Sequence, residues 1–196
     1  EILLAADSLL DVRVLSYLEA QGRLKSSAQP RGAIPGEAGA CLVLESEQQA
    51  RQRSATIYGI VAGVGIAQEP APVGSDAPCL AQGLTEAVHS AMESARWHYD
   101  NLPISRPLIY SDLSGDAYHA HEWGLVVCRL FSEPQVRHPA DCIGSVGAAA
   151  SSLLLGMAAM ALHRGYAYAE RLFVLCSSDA GLRGCACVTS AGDGAR

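Results

Sequence analysis

The sequence predicts an α/β domain, and three observations carry that prediction. Short apolar runs alternate along the chain with segments of helical periodicity, the pattern of strands joined through helices. Positions 142–162 form a run of twenty-one residues without a charge. A helix apolar on every side must be covered on every side, which in a water-soluble domain means lying between two sheets. Finally, 196 residues at 49% hydrophobic and 17% charged are enough for one sizeable core and too apolar for a disordered tail. The strands available barely suffice for one sheet, so the second sheet is expected from absent sequence or from a partner.

Residues 1–6 read as a strand, with Asp7 and Ser8 as caps for a helix on which Leu9, Leu10, Val14, Leu15 and Leu18 recur. Pro30, Gly32, Pro35 and Gly36 keep 22–39 irregular, and 40–45 is a second strand. The polar stretch 46–54 reads as a connection to a strand at 56–64, followed by a loop holding Pro70, Pro72 and Pro78. An amphipathic helix spans 80–97, with Leu84, Val88, Ala91, Met92 and Ala95 on one face. A strand at 107–111, a helix at 118–131 and the apolar helix at 146–162 come next. Strands at 172–176 and 185–189, separated by the turn Asp179-Ala180-Gly181, close the pattern. The tail 192–196 is expected to fray.

Fourteen basic against twenty acidic residues, scattered along the chain, leave no basic stripe for a phosphate backbone, so nucleic acid is not an expected partner. Seven cysteines without a CxxC pair sit mostly in apolar runs and read as buried thiols of a reducing compartment, the cytoplasm. The run 142–162 is long enough to span a bilayer. Six of its positions are Gly or Ser, and Gly144-Ser145-Val146-Gly147 punctuates its front, so it reads as a buried helix and no membrane is expected. A first residue of Glu1 rather than Met is read as a cut or processed N-terminus.

Asp7-Ser8-Leu9-Leu10, Gly22-Arg23-Leu24-Lys25 and Ile34-Pro35-Gly36-Glu37 running into the strand at 40–45 resemble the β-ketoacyl-acyl-carrier-protein synthases of the thiolase-like superfamily. Asp112-Leu113-Ser114-Gly115-Asp116 stands where that family carries an HGTGT-like loop. Ile143-Gly144-Ser145-Val146-Gly147-Ala148-Ala149 stands where it carries a GHTxGAAG-like helix start, and 177–186 at its late Gly- and Phe-rich loop. The resemblance implies an αβαβα-layered fold of two similar halves. Residues 1–30 would be the last strand and helix of the N-terminal half, and 31–196 the C-terminal half.

The family's chemistry uses a cysteine nucleophile from the N-terminal half and two histidines from the C-terminal half. Here Asp112 and Gly144 occupy the histidine positions, Pro139 falls near the family lysine, and Asp179-Ala180-Gly181-Leu182 replaces the late loop. A carboxylate at Asp112 would repel an oxyanion unless its pKa were pushed far up, and glycine offers no donor. His138 lies nine residues from Gly147 where the family spacing is three, so it does not replace the lost lysine or histidine.

Other constellations read as structural. His119-Ala120-His121-Glu122 carries ligand types that suit zinc or iron, but the two histidines, two apart on a helix, point some 200° apart and do not share a metal. Trp123 anchors that helix to the sheet. Asp116 reads as a helix cap, and Asp141 as a cap or hydrogen bond replacing the lost imidazole at the start of the apolar helix. Cys185 and Cys187 are two small core side chains on one strand face. Ser177-Ser178-Asp179 is not a GxSxG elbow, and Glu37 is structural. No cofactor and no metal are expected.

Three functions follow from the resemblance. The first is a degenerate synthase-like protein without condensing activity, serving as a binding or assembly factor. The second is an acyltransferase or 3-oxoacyl-acyl-carrier-protein synthase whose cysteine lies in a missing N-terminal half. The third is a carrier of apolar ligands. The implied partners are the missing half or a homodimer mate, acyl carrier protein or an acyl thioester, and type VI secretion components.

Overall fold

The computed structural model describes residues 1–98 and 104–192; residues 193–196 of the tail expected to fray lie outside them. β1 (Ile2–Ser8) pairs antiparallel with β2 (Glu37–Val43), from Ile2 opposite Val43 to Ser8 opposite Glu37. Between them runs α1 (Val12–Ala20). Asp7 and Ser8 belong to β1, not to a cap; Asp11 caps α1 by accepting from Arg13 N at 2.9 Å. The polar stretch after β2 is not a plain connection, because it folds into α2 (Glu47–Gln52). Ser46 accepts from Gln49 N, and Glu47 pairs with Arg51 one turn on.

β3 (Ile60–Gln68) starts four residues later than the sequence suggests. Gly63 and Gly65 do not break it but let α3 (Gln82–Ala95) lie directly on it. A Cβ at Gly63 would sit 2.3 Å from Ala95 N, and one at Gly65 2.0 Å from Ala87 O. The chain continues through β4 (Ile104–Ser105), β5 (Leu108–Ser111), α4 (Ala117–Leu130), β6 (Phe131–Ser132), β7 (Gln135–Arg137) and the single turn α5 (Ala140–Ile143). A 3-10 turn at Gly147–Ala149 leads into α6 (Ala150–His163), then β8 (Arg171–Ser177) and β9 (Leu182–Thr189). Five strands form one mixed sheet in the order β3-β9-β8-β5-β7, antiparallel over β3-β9-β8 and parallel over β8-β5-β7. β4 and β6 make a short parallel pair beside it.

α3 and α4 cover one face of the five-stranded sheet. Leu84, Val88 and Ala91 of α3 and Val126 and Leu130 of α4 meet Ile109, Phe173, Leu175 and Cys187. α6 covers the other face, where Leu154, Ala158 and Ala161 meet Leu108, Tyr110, Leu172, Val174 and Val188. Burying a side chain such as Leu154 completely is worth about 2 kcal/mol. On its far side α6 meets the β1–β2 pair so closely that a Cβ at Gly156 would lie 3.2 Å from Leu42 Cδ2. The apolar helix therefore lies between two sheets as its composition requires, and this chain itself supplies two strands of the second. The layers run helices α3 and α4, five-stranded sheet, α6, two-stranded sheet, a thiolase-like arrangement.

Not every cysteine is buried as expected. Cys79, Cys185 and Cys187 are buried and Cys176 half-buried, but Cys41, Cys128 and Cys142 are exposed, and all seven are free thiols. Cys41 falls on the outward parity of β2, Cys128 on the solvent side of α4, and Cys142 in the surface turn α5. No helix among the described residues is long and apolar enough to cross a membrane.

Candidate functional site: a closed ion-pair network

The ends of β5 and β8 lie side by side, because β5 and β8 are neighbouring parallel strands. Asp112, one residue past β5, accepts a hydrogen bond at Oδ2 from Ser177 N, the last residue of β8, at 2.7 Å. Burial pushes the Asp112 carboxyl up to about 7, against the Ser177 hydrogen bond that favours its ionised form, and the nearby Glu122 carboxylate raises it further.

Behind Asp112 lies a fully buried ion pair that sequence reasoning missed. Arg183 of β9 is 0% exposed and Glu122 of α4 is 1% exposed, and Nε donates to Glu122 Oε1 at 2.7 Å. The other Glu122 oxygen accepts from Ser177 Oγ at 3.0 Å. Arg183 Nη1 donates to the carbonyls of Ser178 and Leu182 at 2.6 and 3.1 Å, and Nη2 to Tyr118 Oη at 3.3 Å. Both charges are thus fully hydrogen-bonded, the condition under which a buried pair is tolerated. One sequence signal did exist: Arg183 stands alone in an apolar strand, where its charge must find a partner.

A second set of charges closes the outer side. Arg23, in the segment after α1, holds Asp179 of the β8–β9 turn with two bonds, at 2.7 and 3.0 Å, and donates from Nε to Asp116 Oδ2 at 2.7 Å. The Arg23 guanidinium keeps the Asp179 carboxyl below its ordinary value. Asp116 caps α4 as the sequence indicates, its Oδ1 accepting from Tyr118 N and His119 N. His119 reaches Asp116 Oδ1 with Nδ1 at 3.5 Å and Asp179 Oδ1 with Nε2 at 3.6 Å, while burial lowers its pKa. His121 points elsewhere, to the Cys79 carbonyl. Trp123 packs against the core beneath α4.

Gly144 does not join this network. Its φ of +80° and ψ of 178° form a conformation almost confined to glycine, and it lies against the Ile34-Pro35-Gly36 segment. Ser145 N donates to Ile34 O at 2.6 Å and Gly36 N to Ser145 O at 2.8 Å. A Cβ on Gly144 would sit 2.8 Å from the Ile34 and Pro35 oxygens, and one on Gly36 2.0 Å from Ile143 O. Two motifs recognised separately in the sequence are thus packed backbone to backbone, with no room for an imidazole between them.

Asp141 does not cap α6. It is exposed and pairs with His138 Nδ1 at 2.9 Å, which also accounts for His138. α6 has no side-chain N-cap; Asp7 at the end of β1 holds the 3-10 turn before it, its Oδ2 accepting from Ala148 N at 2.7 Å. Glu37 accepts from Ser8 Oγ at 2.9 Å, a structural bond. Burial pushes the Cys176 and Cys185 thiols well up, the opposite of a nucleophile. The buried donors Glu69, Cys79 and Glu122 approach within 4.8 Å of one another. Glu122 is already held by Arg183 and Ser177, and Glu69 accepts from Gly83 N, so a cation there would have to displace the guanidinium.

Between Asp112, Ser111, Ser177, His119 and Trp123 is a cavity with room for about one water. As it stands, the site can hold a proton on Asp112 and bind a water, and Gly144 brings no side chain to it.

The layers give the chain a thiolase-like fold, the fold of ketosynthase structures. No family model matches the chain. It is 34% identical over 93 residues to the tetracenomycin polyketide synthase ketoacyl synthase beta subunit of Streptomyces glaucescens, a match covering 47% of this chain and 21% of that protein. The ishigamide ketosynthase/chain length factor superposes with a TM-score of 0.77 at 18% identity, over 98% of this chain and 54% of that one. A type II polyketide synthase ketosynthase, in complex with its acyl-carrier protein and bound to the hexaketide, gives 0.75 at 15% identity, over 97% and 56%. The chain spans about half the length of these ketosynthases and about a fifth of the curated relative. Type VI secretion components find no support in these comparisons.

Proposed function

We propose that the chain is half of a ketosynthase-like subunit that does not itself condense acyl groups and serves as the assembly partner of an active ketosynthase. Residues 1–30 are then the end of its first half and 31–196 its second half, working in the cytoplasm. The observation that carries this reading is the occupation of both histidine positions. At Gly144 the backbone packing excludes any side chain, and at Asp112 the carboxylate is tied to Ser177 N. Two oxyanion donors are lost together, each of which is worth about 3 kcal/mol in enzymes that use one. The similarity to a ketoacyl synthase beta subunit and to a ketosynthase/chain length factor supports the same reading. Its partners are a second ketosynthase-like subunit and, through it, an acyl carrier protein.

One observation favours the second reading, a condensing enzyme or acyltransferase with an altered site. A carboxyl brought up to about 7 is half protonated at neutral pH and in that form donates a hydrogen bond to a thioester oxygen. One experiment separates the two. The full-length protein is purified, its intact mass measured, and then incubated with acyl and malonyl carrier protein. The assembly reading expects no acyl-enzyme mass adduct, no 3-oxoacyl product, and co-purification with a co-expressed active ketosynthase. An adduct together with condensation product would establish the second reading instead.

A further inference from the structure

We draw no further inference here: the strongest candidate, the apolar strip of the five-stranded sheet where Val64 and Ile66 of β3 and Leu182 of β9 are exposed, is an unpartnered sheet face, and nothing in the structure shows what covers it.

Discussion

Replacing Gly144 by alanine puts one methyl group where the backbone of another segment already lies. The backbone at φ +80° and ψ 178° is nearly closed to L-residues, a cost of about 1–3 kcal/mol by itself. The new Cβ would also meet Ile34 O and Pro35 O at 2.8 Å and Gly36 N at 2.9 Å. These atoms do not yield freely, because the hydrogen bonds between Ser145 and the 34–36 segment hold them in place. Conformation and collision together give a loss of about 3 kcal/mol, or a melting point lower by about 6–12 °C in a domain of this size. Gly165→Ala is the control, since Gly165 has a φ of +71° but nothing within 4 Å of its would-be Cβ. Thermal and urea denaturation of both variants should show the larger loss at Gly144. Equal losses at the two positions would refute the claim that Gly144 has no room, and with it the argument that a histidine cannot be restored there.

Asp112→Asn should flatten a pH dependence. The wild-type carboxyl rises from 3.8 to about 7 on folding, so its contribution is present in acid and is lost as pH rises toward 7, about 4 kcal/mol across the whole span. Urea titrations at pH 5 and pH 8 should show the variant gaining about 2–3 kcal/mol on the wild type at the higher pH. Arg183→Ala leaves Glu122 buried and unpaired and should cost about 3–5 kcal/mol, whereas Arg183→Met with Glu122→Leu should recover most of that loss in the same assay. Asp7→Ala removes the acceptor for Ala148 N and should lower stability by about 1 kcal/mol, with the exchange of amides in the first turn of α6 rising before that of β8.

The parts of the fold legible in the sequence are those set by local periodicity. α3, α4 and α6 were placed within a few residues because their apolar spacing and flanking breakers are local properties. β3 lies at 60–68 and not at 56–64, and it continues through Gly65 because α3 lies directly on it, a contact the local sequence does not show. Asp112 and Asp179 were found through motif position, and the structure brings both to the loops around the α4 N-terminus; Gly144 was found the same way but is held by the 34–36 segment. The pairing of Arg23 with Asp179 and of Glu122 with Arg183 is not legible in the sequence, since the first two are 156 positions apart and the second two 61 apart. Asp141 reads as a cap, yet it pairs with His138 while the distant Asp7 holds the turn before α6, because proximity along the chain is a poor guide to which carboxylate reaches a backbone amide.

The hold of Asp7 on the turn before α6 has a consequence for biosynthesis. Asp7 leaves the ribosome 141 residues ahead of Ala148, the amide it will hold. At about 5–20 residues per second, it waits about 7–30 seconds for that partner. During this interval β1 and β2 can already pair, but their inner face has no α6 to cover it, and Leu42 and its neighbours lie open. The nascent chain thus carries an unfinished hydrophobic layer from the synthesis of β2 until α6 emerges, and pausing or slow synthesis before residue 148 lengthens the time in which that layer can find the wrong partner.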